Sequence, residues 1–272
     1  MHKYLQVYKP FINAGLQEAV SYRTNWIFGI MGSVLGCFIN YFIWKAVFIS
    51  SNSGTFMGFD QQQMVIYIFI TFLTGIMVNS GGTYDIGQEI KDGSIAMRII
   101  KPISYNSTFL FQELGNKIMT IGLVFVPLMI GVELYRFFTT GQLQFDLLNF
   151  LLFLISSCIA YLINFFFNIC YGFTAFVFKN LWGSNMLKNC IVGFLSGAVI
   201  PLAFLPAGLK DALLLLPFAS LSYTPVMLYM GAYSVSEALL TLGLQIFWCF
   251  MFWLLSKLIW KVVIKHLCVQ GG

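Results

Sequence analysis

Side chains able to carry acid–base, metal or nucleophilic chemistry are few and badly placed for it. The two histidines, His2 and His266, stand at the two ends of the sequence, so neither can act as a base or metal ligand inside an apolar segment. The ten acids are Glu18, Asp60, Asp85, Glu89, Asp92, Glu113, Glu133, Asp146, Asp211 and Glu237, and nearly all fall in loops or at the ends of apolar runs. None stands near the middle of a run, where an ion-coupled carrier usually keeps an ionisable group. Cys37, Cys158, Cys170, Cys190, Cys249 and Cys268 form no C-x-x-C pair and read as small packing residues. The sequence contains no G-x-x-x-x-G-K-[ST] loop, so the chain has no P-loop of its own for ATP. The expectation is a protein without catalytic residues, metal or bound cofactor.

The most informative polar stretch is Thr83 to Pro102, TYDIGQEIKDGSIAMRIIKP. Asp85 near its start and Lys91 just before Gly93 match the macrodipole preferences of a short helix that Gly93 stops. Ile86 and Ile90, four apart, give that helix one apolar stripe. Two readings stay open: a helix that docks into a groove on a soluble partner, or a connector lying in the membrane interface.

Other polar and small residues sit inside apolar runs. Gly32 with Gly36, and Gly193 with Gly197, each form a G-x-x-x-G that lets helix backbones approach, either between two chains or within one bundle. Asn164 and Asn168 share one helix face, and Asn40, Asn79 and Gln245 are similarly placed, as interhelical glue or as contacts for a substrate. Glu113 and Lys117 have the spacing of an intrahelical pair. Phe165, Phe166, Phe167, Trp248, Phe250, Phe252 and Trp253 could line a greasy path, but consecutive residues point around a helix, so none is assigned to cargo.

The elements that must hold these residues follow from composition. Of 272 residues, 59% are hydrophobic and 9% charged, against about 25% charged in soluble domains; mean hydropathy is +0.83. Apolar runs fall at about 26–49, 63–81, 114–134, 147–176, 189–205 and 236–262. A span needs about 20 residues, and backbone in hydrocarbon must satisfy itself. The expectation is therefore an all-α polytopic bundle of six transmembrane helices in one domain, 1–272. Residues 1–25 alternate polar and apolar positions as an interfacial helix does. The first run, beginning at Trp26, is about 24 residues long and ends without an A-x-A-like site, so it stays as an anchor. Between 206 and 234, the breaks at Pro206, Gly208, Pro217, Pro225 and Gly231 leave room for a helix of only about ten residues, which is re-entrant or lies at the outer surface.

An even number of spans puts both termini on one side. Placing them in the cytoplasm puts twelve basic residues inside, among them Lys3, Lys9, Arg23, Lys91, Arg98, Lys101, Lys257 and Lys261, against Arg136 and Lys210 outside. The net charge of +5 is thus spread along a membrane surface and forms no nucleic-acid patch.

The stretch EIKDGSIAMRIIKPIS, Glu89 to Ser104, resembles the cytoplasmic segment of ABC-type-2 exporter permeases. PLAFLPAGLKDALLLLPFASLSYTPVMLYMG, Pro201 to Gly231, is similar to the same family's external segment. The resemblance implies a multi-pass permease in the cell membrane that pairs with a second permease chain, identical or related. Two separate ATPase subunits, which bind ATP and Mg, would drive it through its cytoplasmic loop. Carried over, ATPase coupling falls on Tyr84, Asp85, Ile86, Glu89, Ile90, Lys91, Gly93, Arg98, Lys101 and Pro102. An external gate falls on Pro201, Pro206, Pro217, Phe218 and Pro225. Gly193 and Gly197, with Gly32 and Gly36, are the dimer candidates, and Asn164 and Asn168 the substrate-path candidates. Hydrocarbon-facing aromatics and the lack of buried charge favour export of an amphipathic or hydrophobic compound, such as a drug, antibiotic, peptide or lipid, by alternating access. A membrane scaffold and an ion-coupled carrier are the alternatives.

Overall fold

Hydrocarbon offers the backbone no hydrogen-bond partner, so the apolar runs must coil. The computed structural model describes residues 2–50, 55–101, 103–141, 145–178 and 181–264, and the side chains of all of these except 2–5 and 25. The order is α1 (His2–Ser21), α2 (Arg23–Ser50), a hairpin pairing Thr55–Phe56 with Phe59–Asp60, α3 (Gln61–Val78), α4 (Gly82–Asp92) and α5 (Ile95–Ile99). Then come α6 (Tyr105–Thr120), a π-helical turn (Ile121–Phe125) and α7 (Val126–Thr140), which together make one long rod. α8 (Leu147–Gly172), α9 (Trp182–Leu195), α10 (Ala207–Leu215), α11 (Tyr223–Tyr229) and α12 (Val235–Val263) complete the described chain. The all-α expectation holds, the hairpin being the one exception among the described residues.

Among the described residues, five stretches are long and apolar enough to cross a membrane: Trp26–Ser50, Gln61–Asp92, Tyr105–Thr140, Leu147–Phe176 and Val235–Val263. The expected fifth span differs. Helix α9 has 14 residues, a rise of about 21 Å, and it ends where Gly197 turns left-handed at φ 79°. The distal ends of three long helices are fixed by side-chain caps. Asp60 and Gln63 form a capping box on α3, Asp146 accepts from Leu148 and Asn149 at the start of α8, and Ser234 and Glu237 box α12.

At the opposite, proximal end, α1 lies along α6. A Cβ on Gly115 would stand 2.1 Å from the Ile12 carbonyl oxygen, and one on Gly15 would stand 1.9 Å from that of Gln112. Only glycine allows this backbone contact. Tyr8 stacks on Phe111 with centroids 4.6 Å apart, and Gln112 donates to Glu18 at 3.1 Å. The N-terminal segment is thus a helix set against α6.

The segment after α9 dips back into the bundle. At its tip the Leu215 carbonyl accepts from the Trp248 indole at 3.0 Å, and the Ser220 carbonyl accepts from Gln245 at 3.0 Å. Ser156 in turn donates to Gln245 at 2.9 Å. Gln245 lies ten residues into α12, about 15 Å along its axis, so the segment packs against the bundle at that level.

Candidate functional site

The site begins where α3 stops. The last carbonyls of a helix have no partner of their own, and here side chains from two other helices supply them. The Lys117 ammonium donates to the carbonyls of Met77 at 2.8 Å, Asn79 at 2.7 Å and Ile76 at 3.5 Å, while Asn164 donates to that of Val78 at 2.8 Å. A cation is also the charge that the C-terminal end of a helix dipole favours. With these carbonyls held, the chain breaks over Asn79, Ser80 and Gly81 and restarts as α4.

The same collar secures the start of α4. Ser80 donates to Glu113 at 2.9 Å, Tyr161 donates to the other oxygen of that carboxylate at 3.1 Å, and Thr83 donates to Asn168 Oδ1 at 2.8 Å. Lys188 of α9 reaches Asn168 Oδ1 at 2.5 Å and Thr83 Oγ1 at 3.3 Å. The expected Glu113–Lys117 ion pair is not formed. Each group finds better-placed partners on α3, on α8 and in the break between α3 and α4, and the ion pairs among the described residues are Arg98–Glu89 and Arg136–Glu133.

Above this collar lies a chamber of about 970 Å³ between α2, α3, α6, α8 and α9. Its floor is Ser80 to Tyr84 without Gly82, and its roof includes Ser196, Leu221 and Ser222 at the tip of the dipping segment. The wall from α9 is polar: Asn185, Lys188, Asn189 and Ser196 follow helical spacing. The wall from α2 and α3 sets Ile30, Ile68, Phe72 and Ile76 among Ser33, Asn40 and Thr71. Asn185 Oδ1 and Ser222 Oγ are buried without a hydrogen-bond partner.

The coupling candidates divide into two faces of α4. Tyr84, Asp85, Lys91 and Gly93 are exposed, and Gly93 stops the helix in the left-handed region at φ 79°, as its position implied. The apolar stripe corrects the docking reading. Ile86 is 0% exposed, and Ile90 packs with it on the cluster of Tyr105, Phe109, Phe165, Ile169 and Phe173. A Cβ on Gly172 would lie 3.1 Å from that of Ile86, so Ile86 holds α4 to α8, while Ile90 stays half-buried beside it.

Glu89 and Arg98 are likewise tied inward. Their ion pair measures 2.5 Å, Arg98 also donates to Thr108 and Gln112 at 3.0 Å each, and its guanidinium sits 3.9 Å from the Phe109 centroid. Lys101 lies over Phe11 of α1 at 5.6 Å. Pro102 falls outside the described residues.

The gate candidates all belong to the dipping segment. Pro201 and Pro206 precede its helical turns, Pro225 is buried in α11, and Pro217 and Phe218 form the tip. Phe218 meets Phe167 edge-on at 5.9 Å. On the distal side Tyr229 donates to Glu133, which also accepts from Arg136 at 3.3 Å. Burial first, and then the facing Glu133 carboxylate, push the Tyr229 phenol above its ordinary value, so it stays a neutral donor.

Of the glycines, an added Cβ on Gly32 or Gly36 would meet nothing within 4 Å, but Gly36 lines the chamber and Gly32 does not. Gly193 lines the chamber. Gly197 is not available to a second chain: it is buried against Leu202 and Tyr223, and its carbonyl accepts from Tyr67 at 2.7 Å. Asn164 and Asn168 line the chamber and also bind the ends of α3 and α4. The polar stripe of α9 was missed in the sequence, although Asn185, Lys188, Asn189 and Ser196 stand at helical spacing. The sequence pattern of the ABC-2 family transporter proteins matches residues 34–271. Among curated proteins, none matches the chain.

Proposed function

Because the chain belongs to the ABC-2 transporter family and is a transmembrane subunit of such a transporter, we propose that it is the permease of an ATP-driven exporter and that the chamber is part of its path. One observation supports this reading: the chamber lies between the start of α4, which forms its floor, and the tip of the dipping segment, which stands in its roof. A push on the exposed face of α4 by an ATPase subunit moves α4 against the collar of Lys117, Glu113, Asn164 and Asn168, which α6 and α8 hold in place. The floor of the chamber shifts with it. The protein does no bond chemistry of its own; ATP and Mg belong to the partner, and the work arrives as rigid-body motion.

The proximal end faces the cytoplasm in this reading, since it carries Lys91, Arg98, Lys101, Lys257 and Lys261. A second permease copy covers α2 and α9, whose outward faces carry Phe28, Leu35, Phe42, Leu187 and Ile191. The cargo is amphipathic, because the chamber sets the polar stripe of α9 against the apolar side chains of Ile68, Phe72 and Ile76.

Purification of the tagged chain tests the proposal. A P-loop ATPase should accompany it at one copy per permease, and ATP should drive efflux in vesicles. Lys91→Ala should uncouple ATP hydrolysis from efflux with the complex still folded and inserted. Efflux that continues without ATP and stops when an ion gradient is collapsed would overturn the reading in favour of a carrier. Normal function with the exposed face of α4 disrupted would favour a scaffold.

A further inference from the structure

The charges lining the chamber are Lys117, Lys188 and Glu113, and two of them are spent. Lys117 directs its ammonium at three backbone carbonyls, and Glu113 accepts from Ser80 and Tyr161. Lys188 differs. It is half-buried, its hydrogen bonds go to the neutral oxygens of Asn168 and Thr83, and it lies 5.0 Å from the Tyr171 centroid and 5.8 Å from that of Phe167. Among the described residues no carboxylate stands within ion-pair distance of it. A cation withdrawn from water without a counter-charge is costly, and an anion entering the chamber would offset that cost.

Two further features fit a ligand at this place. Asn185, one turn before Lys188 on the same face, leaves its Oδ1 buried and unpartnered, as Ser222 does its hydroxyl across the chamber. The facing wall of Ile68, Phe72 and Ile76 suits an alkyl chain. Resting on the permease reading above, we propose that the chamber takes an amphiphile with an anionic head, phosphate, sulfate or carboxylate, and that Lys188 is the residue that selects it. The head displaces Asn168 and Thr83 from the ammonium, and because Thr83 belongs to α4, binding loosens the tie between α9 and the driven helix. Cargo entry is thereby sensed at the coupling segment.

The test uses the full chain, purified with its ATPase, and three fluorescent amphiphiles of equal chain length: an alkyl phosphate, an alkyl maltoside and an alkyl trimethylammonium. The phosphate should bind at least tenfold more tightly than the cation. Lys188→Gln should weaken phosphate binding about tenfold and leave maltoside binding unchanged, and Lys188→Arg should restore it to within about threefold. Competition by phosphatidylglycerol in nanodiscs, but not by phosphatidylcholine, would support the inference and identify a membrane lipid as the source of the head; selective phosphate binding without that competition would support it and identify a soluble amphiphile. Equal affinity for phosphate and cation, or unchanged phosphate binding in Lys188→Gln, would overturn it. So would a fall in thermal stability shared by the Gln and Arg variants, which marks Lys188 as a structural tie. If no ATPase accompanies the chain, the permease reading fails while the charge selectivity can still be measured; if selectivity is lost with the ATPase present, only this inference fails.

Discussion

Helices α3 and α9 face each other across the same chamber and are built on opposite terms. Of the 18 residues of α3, ten are buried, and its final carbonyls are held by Lys117 and Asn164. Helix α9 has no buried residue, starts without a side-chain cap, and turns Met186, Leu187, Ile191 and Phe194 outward. One wall belongs to a fixed scaffold that includes α6 and α8; the other, with α2, presents an apolar face that a lipid or a second copy must cover. The difference teaches that rigidity is concentrated where the break into α4 has to be held. Freedom is left where two chains would have to slide past one another.

The sharpest way to break this contrast is on the fixed side. Gly115→Leu drives a side chain into the Ile12 carbonyl and should cost about 3 kcal/mol, seen as a large fall in the thermal unfolding midpoint in detergent. Lys117→Met empties the collar at the end of α3 and should cost about 2 kcal/mol; it should also expose the Met77 and Asn79 amide region to faster hydrogen exchange. Gln245→Leu removes the bonds to Ser156 and Ser220 at about 1 kcal/mol, and it should leave assembly with the ATPase intact. Gly32→Leu, on the open side where an added Cβ meets nothing within 4 Å, should change the stability of the single chain by less than about 0.5 kcal/mol. It should nonetheless reduce the dimer fraction measured by native mass spectrometry. A Gly32 variant as unstable as the Gly115 variant would remove the distinction between the two walls.

Much of this layout is legible in the residues, for reasons that are local. Asp60, Asp146 and Ser234 cap the helices they precede, Gly93 ends α4, and Pro206 opens α10, because each acts on the few residues beside it. The direction in which a stripe points is not local. Ile86 and Ile90 have the same spacing whether they meet a partner or α8, and only the packing of Gly172 against Ile86 decides it. The approach of Gly15 to Gly115 joins positions about a hundred residues apart and leaves no trace in either segment alone. The stripe from Asn185 to Ser196 was obscured because the fifth apolar run, taken as 189–205, begins after Asn185 and Lys188.

The dipping segment carries a consequence for biogenesis. Its carbonyls at Leu215 and Ser220 are satisfied by Trp248 and Gln245, which the ribosome makes later. Until α12 has been synthesised and has entered the bilayer, those groups have only water as a partner, so the segment waits at the surface and sinks last. A nascent chain arrested before residue 235 should therefore leave residues 206–229 open to protease or to a water-borne thiol label, and extension through α12 should close them off.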